Sequence, residues 1–180
     1  HNTGAIGYSY QLASAIKVRA SAGTAFRAPT FNDLYFPTNP ALQYIQNPNL
    51  RPERSRSREM GADLRLSEHI FSVTGFRNSI SDLITIYTDP VTFDSTTINL
   101  DNAEIKGYEL AYSGELAGWQ LQAKATVQSP RNQADGLMLR RRANQFGSVG
   151  AKRRIGKWSV GAEATASGYR FDSSLETVAS

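Results

Sequence analysis

The sequence predicts an all-β chain: an antiparallel, up-and-down transmembrane β-barrel segment of about eight strands. Three observations predict it. Apolar and polar residues alternate with period two nearly everywhere, the connections alternate between short turns and long polar loops, and the apolar faces are small-residue rich and free of charge in the four cleanest strands.

The first strand lies in "GYSYQL", where Tyr8, Tyr10 and Leu12 share a face. A short turn at 12–15 leads to "IKVRASAGTAF", which sets Ile16, Val18, Ala20, Ala22, Thr24 and Phe26 against Lys17, Arg19, Ser21, Gly23 and Ala25. Pro29, which lacks an N–H, ends that ladder and opens a long loop over 27–54. On its return, Asn47, Pro48 and Asn49 favour turns and Pro52 pushes Arg51 out of helical space. "EMGADLRL" then opposes Met60, Ala62, Leu64 and Leu66 to Glu59, Gly61, Asp63 and Arg65.

After a turn at 67–69, "IFSVTGFRNSISDLITIY" reads as a strand with a phase conflict at Phe76, followed by a loop over 88–97. "KGYELAYS" aligns Tyr108, Leu110 and Tyr112. A turn at 116–118 leads to "WQLQAKATVQ", which sets Trp119, Leu121, Ala123, Ala125 and Val127 on one face, and a loop over 129–139 follows. "RRANQFGSVGAK" carries a second phase conflict, at Phe146. A turn at 155–157 gives way to "WSVGAEATAS", and the chain closes on a loop from 171. No segment reads as a helix.

Ala and Gly pack a sandwich core poorly, whereas acyl chains fill the space beside them. The apolar faces are therefore assigned to lipid and the polar faces to a lumen. Trp119, Trp158, Tyr108 and Tyr112 are the expected lipid-interface aromatics. Lys17, Arg19, Glu59, Asp63, Arg65, Glu109, Lys124 and Glu163 are the expected lumen wall, with Lys106 read beside them. A soluble β-sandwich binding module, which would bury its apolar faces against a second sheet, is the alternative from another class.

Several function classes recede on composition. The chain has no cysteine, which removes disulfide frameworks and thiolate chemistry. Mean hydropathy is −0.41 and no window reaches the ~18 consecutive apolar residues of a membrane helix. The net charge of +4 comes from 20 Lys and Arg scattered among 16 Asp and Glu, without the aromatic interleaving of a nucleic-acid groove. Arg140, Arg141 and Arg142 stand where a long loop re-enters a strand, facing a phosphate, a ligand or a lumenal carboxylate; Lys152, Arg153 and Arg154 flank a short turn. The two histidines, His1 and His69, have no nucleophile placed beside them, so no enzyme is expected. No cofactor or metal is expected either: Asp89, Asp94, Asp135 and Asp172 would bind Ca2+ only if they converged, and loop aspartates usually form turns.

Four segments in order, "SAGTAFRAPTFNDLY" (21–35), "NPNLRPERSRSREMG" (47–61), "FRNSISDLI" (76–84) and "NLDNAEIKGYEL" (99–110), resemble the barrel signatures of TonB-dependent outer-membrane receptors. The likeness continues through "LRRRANQFGSVG" (139–150) and is strongest to vitamin B12 receptors. It implies a 22-stranded barrel occluded by an N-terminal plug, in the outer membrane of a Gram-negative-type cell, bathed in lipid and lipopolysaccharide. It also implies uptake of cobalamin or, second, a ferric siderophore, energised through TonB. On that likeness residues 1–180 are a partial barrel domain whose plug, TonB-recruiting segment and remaining strands lie outside this sequence. Long-loop residues Tyr35, Phe36, Tyr44, Gln46 and Asn47 are the expected ligand contacts.

Overall fold

A computed structural model describes residues 2–36 and 43–171. Eight long strands pair in sequence order as one antiparallel meander: β1 (Ala5–Ala13), β2 (Ile16–Arg27), β4 (Glu53–Leu66), β5 (His69–Thr88), β6 (Ser95–Leu116), β7 (Trp119–Asn132), β8 (Gln145–Ile155) and β9 (Trp158–Ser167). A two-residue strand, β3 (Tyr44–Ile45), adds in parallel to the start of β6. Among the described residues all strands belong to this one sheet.

All four short turns fall where the sequence places them, joining β1–β2, β4–β5, β6–β7 and β8–β9 at one end of the sheet. The turn at "LAGW" needs two left-handed residues and has them in Ala117 (φ 51°) and Gly118 (φ 76°), as a twisted two-residue hairpin requires. At the other end the loops span 28–52, 89–94, 133–144 and the stretch after Ser167. The loop expected at 129–139 thus starts later, because Ser129 to Asn132 continue the pairing of β7 with Lys106 to Ala103.

The register confirms the alternation. One face carries the rows Ile16–Leu64–Phe71–Tyr112–Ala123–Val149–Ala164 and Val18–Ala62–Val73–Leu110–Ala125–Gly147–Ala166, crossing seven strands without a charge. The opposite, polar face holds all eight expected wall residues: Lys17 lies across from Asp63, Glu109 across from Thr74 and Thr126, and Lys124 across from Ser148. Lys106 is the correction. It pairs with Arg77 and shares the face of Tyr108, because a residue two positions from Tyr108 cannot share a face with Glu109. The two phase conflicts resolve the same way: Phe76 pairs with Glu59 and Gly107, and Phe146 with Thr126, so both phenylalanines sit on the polar face.

Among the described residues, apolar burial is confined to one end. Leu50, Ile84, Ala103, Leu139 and Pro130 are the buried apolar residues, all near the long loops, whereas Tyr8, Met60, Tyr108, Leu110 and Val127 in the apolar band are exposed.

Candidate functional site

The β5–β6 hairpin carries the site. β4 stops pairing with β5 at Ser81 and β7 stops pairing with β6 at Ala103, yet the hairpin runs on to Thr88 and Ser95, about 23 Å further at ~3.3 Å per residue. An unsupported two-stranded extension would be marginal, and here two loops clasp it from either side.

The first clasp is the 28–52 loop. It opens with the five-residue helix α1 (Phe31–Tyr35), capped by a reciprocal box in which the Asp33 N–H donates to Thr30 Oγ1 (3.2 Å) and the Thr30 N–H donates to Asp33 Oδ2 (2.8 Å). The Arg27 guanidinium reaches both Asp33 (3.0 Å) and Glu53 (2.9 Å), tying the loop's two ends together. Burial pushes the Asp33 carboxyl up, but the Thr30 hydrogen bonds and the Arg27 charge outweigh it and hold the group below the ordinary carboxylate range.

The loop returns along the hairpin. The Tyr44 hydroxyl shares a short hydrogen bond with Thr97 Oγ1, and Asn47 Nδ2 donates to the Thr97 carbonyl at 2.9 Å. Asn99 then acts as a keystone. Its Oδ1 accepts from the Arg51 N–H at 2.8 Å, while its Nδ2 donates to the carbonyls of Arg51 (2.9 Å) and Asp82 (2.8 Å). Arg51 also pairs with Asp82 at 2.7 Å, and the Ile84 N–H donates to Glu53 Oε1 at 2.7 Å. Leu50 and Ile84 are buried at this clasp.

The second clasp is the 133–144 loop. Its Gln133 N–H donates to the Asn102 carbonyl (2.9 Å), its Leu139 N–H to that of Pro130 (2.9 Å), and Arg140 Nη1 to the Ile86 carbonyl (2.8 Å). Arg140 thereby ties the 133–144 loop to the hairpin backbone. Burial, and then the neighbouring Arg141 charge, lower its pKa.

At the open end of this assembly, Phe31, Tyr35, Phe36, Val91, Phe93 and Leu137 expose apolar surface, with Phe31 against Tyr35 at 5.3 Å and Phe36 edge-on to Tyr44 at 4.8 Å. Of the five expected ligand contacts, Tyr35, Phe36 and Gln46 are exposed, while Tyr44 and Asn47 are half-buried, with the Tyr44 hydroxyl and the Asn47 amide nitrogen on Thr97. The arrangement suits a large amphipathic guest: aromatic faces to lie against, and loop polar groups held rigid around them.

The polar face below is lined by mixed charge. Arg19 lies across Gly61 to reach Thr74 Oγ1 (2.5 Å) and Asp63 (3.7 Å); a side chain at Gly61 would collide with the Arg19 guanidinium and the Val73 carbonyl. Asn78, on the same face opposite Ser57 and Ile105, has a buried carbonyl oxygen with no hydrogen-bond donor.

The expected interface aromatics all lie on the apolar face. Trp119 sits under Arg153 (5.8 Å), Trp158 is exposed beside the β8–β9 turn, and Tyr112 is hydrogen-bonded to His69 Nδ1 at 2.9 Å, which gives that histidine a positional partner. Asp89 and Asp135 form turns: Asp89 accepts from the N–H groups of Val91 and Thr92, and Asp135 from that of Leu137. No group of three or more metal-ligating side chains converges among the described residues, and Asp172 lies outside them.

Two features escaped sequence reasoning. The helix had a signal in "TFND", a Thr and Asp at capping-box spacing. The keystone Asn99 had none, since its partners stand 48 and 17 positions away.

Comparison with known proteins matches residues 1–179 to the family described as TonB dependent receptor-like, beta-barrel. The vitamin B12 transporter BtuB of Vibrio vulnificus (strain YJ016) is 33% identical over 178 residues, which cover 99% of this chain and 28% of that protein. The hemin receptor of Yersinia pestis is 31% identical over 121 residues, 56% of this chain and 18% of that one. Among solved structures, the siderophore receptor PirA from Pseudomonas aeruginosa superposes with a TM-score of 0.68 at 18% identity, over 92% of this chain and 30% of its own. The chain thus spans less than a third of the length of these relatives.

Proposed function

Because this chain belongs to the TonB-dependent receptor β-barrel family, we propose that it forms part of the barrel wall of an outer-membrane uptake receptor, with cobalamin as the favoured ligand. The observation that carries the barrel-wall reading is the segregation of faces: rows of uncharged residues cross seven strands on one side, while Lys17, Arg19, Asp63, Glu109 and Lys124 line the other. In a bilayer the first side meets acyl chains and the second a water-filled or plugged lumen.

On this reading the wall is a scaffold. Lys17, Arg19, Glu59, Asp63, Arg65, Glu109, Lys124 and Glu163 contact a plug domain supplied by the rest of the receptor. The clasped hairpin presents Tyr35, Phe36 and Gln46 to the ligand, with Tyr44 and Asn47 holding the loop in place through Thr97. TonB would act through a segment beyond these strands, drawing on the plug after the ligand has seated.

Cobalamin is favoured by the likeness to the B12 transporter along 99% of the chain, and a ferric siderophore is the second reading, favoured by the superposition on PirA. Titrating the intact receptor with cyanocobalamin, with a ferric siderophore as competitor, separates the two. Saturable cobalamin binding that resists the siderophore is expected; binding of the siderophore alone would overturn the ligand while leaving the barrel standing.

A further inference from the structure

The apolar face does not remain apolar to its end. One row above Ala20–Met60–Gly75–Tyr108 comes Ala22–Arg58–Arg77–Lys106, with cations on three adjacent strands, and above it along β4 stand Arg56 and Arg54. The pairing of these charges is uneven. Glu104 is spanned by Arg77, whose Nε donates to Oε2 at 2.7 Å, and by Lys106 at 3.1 Å, so that carboxylate is already bridged. No hydrogen bond or ion pair joins Arg54, Arg56 or Arg58 to any described residue, and all three are exposed. Elsewhere Arg19, Arg27 and Arg51 each meet a carboxylate.

Two concavities lie along β2, β4, β5 and β6 on this face. The upper, of about 730 Å3, is bordered by Arg54, Arg56, Arg77, Ser79, Asn102 and the bridged Glu104. The lower, of about 370 Å3, runs over the small residues Ala20, Ala62 and Gly75 between the rings of Tyr8 and Tyr108. The Arg58–Arg77–Lys106 row separates them.

A guanidinium triad without a partner among the described residues, directly above an apolar trough, is complementary to a saccharolipid with anionic phosphates on its headgroup and several acyl chains below. Guanidinium forks bind phosphate bidentately, and the serine and asparagine of the upper concavity suit sugar hydroxyls. We propose that this face holds a lipopolysaccharide molecule, its lipid A phosphates on Arg54, Arg56 and Arg58 and an acyl chain in the Tyr8–Tyr108 trough. The site rests on the barrel-wall reading, which puts the long-loop end in the outer leaflet. It gives the wall a bound lipid beside the strands that carry the clasped hairpin.

The test uses the intact receptor in detergent, titrated with diphosphoryl lipid A and followed by native mass spectrometry. The wild type is expected to retain lipid A saturably against excess phosphatidylglycerol. The Arg54→Ala/Arg56→Ala/Arg58→Ala variant should bind it about tenfold or more weakly, with binding of the uptake ligand unchanged as proof of folding. Replacing the same three by Lys should give an intermediate loss, since charge remains but the fork does not, and Lys124→Ala on the polar face should have no effect. Equal retention by the triple-alanine variant, or displacement of lipid A by phosphatidylglycerol at equal concentration, would overturn the proposal while leaving insertion into liposomes intact. A wild type that failed to insert would remove the site and the barrel-wall reading together.

Discussion

The two ends of the sheet are stabilised by different means. In the band near the short turns no apolar side chain among the described residues is buried, and residues such as Tyr108 (68% exposed) and Leu110 (56%) leave most of their surface uncovered. At the loop end, Leu50, Ile84 and Leu139 are buried and irregular backbone is held by Asn99, Asn47 and Arg140. The band therefore takes its apolar environment from outside the chain, whereas the rim supplies its own. That contrast matches a wall whose middle is solvated by lipid and whose rim must hold a shape in water.

The largest way to break the contrast is to charge the band. Leu110 lies in the middle row of the apolar face, so Leu110→Arg should cost about 2–4 kcal/mol and sharply lower the folded yield in liposomes. Leu64→Arg, one row closer to the short turns, should cost less, and Arg65→Leu on the polar face less again. Equal yields for all three would mean that the faces carry no lipid preference. The second test is a cavity at the rim: Leu139→Ala should cost roughly 2 kcal/mol, at the low end for buried leucine because an exposed loop can settle into the space. Its expected signature is faster hydrogen exchange confined to 133–144 and the Ile86 region, with liposome assembly unaltered. Loss of assembly would show that the rim and the band are not independent.

The band was legible in the sequence because it obeys a period. Alternation gave the strands, the turns and the face of each expected wall residue, and even the error at Lys106 is a lapse in counting by two. The rim was not legible, for a physical reason. Its contacts join residues far apart in sequence through irregular backbone: Asn47 with Thr97, Arg51 with Asn99, Arg140 with Ile86. No local pattern encodes such pairs. The basic triad falls between the two cases. "RSRSR" declares its alternation openly, yet only the register shows that its arginines continue the lipid-side face and that nothing in the described chain pairs with them.

The smallest expected effect lies where the rim meets solvent. Asp33 is held below the ordinary carboxylate range, so its contribution to the α1 cap is complete above its unfolded pKa, near ~3.9, and is lost as pH falls through its lower folded value. Protection factors for residues 31–35, which remove the intrinsic pH dependence of exchange, should fall on acidification toward pH ~3 while those of the band stay level. Thr30→Ala removes the hydroxyl side of the same box and should cost about 1 kcal/mol at neutral pH, leaving less for acid to take away. If the variant lost protection with pH as steeply as the wild type, the acid sensitivity would belong to the Arg27 pairing with Asp33 and Glu53, and the loop would be fastened at its ends and not by its helix.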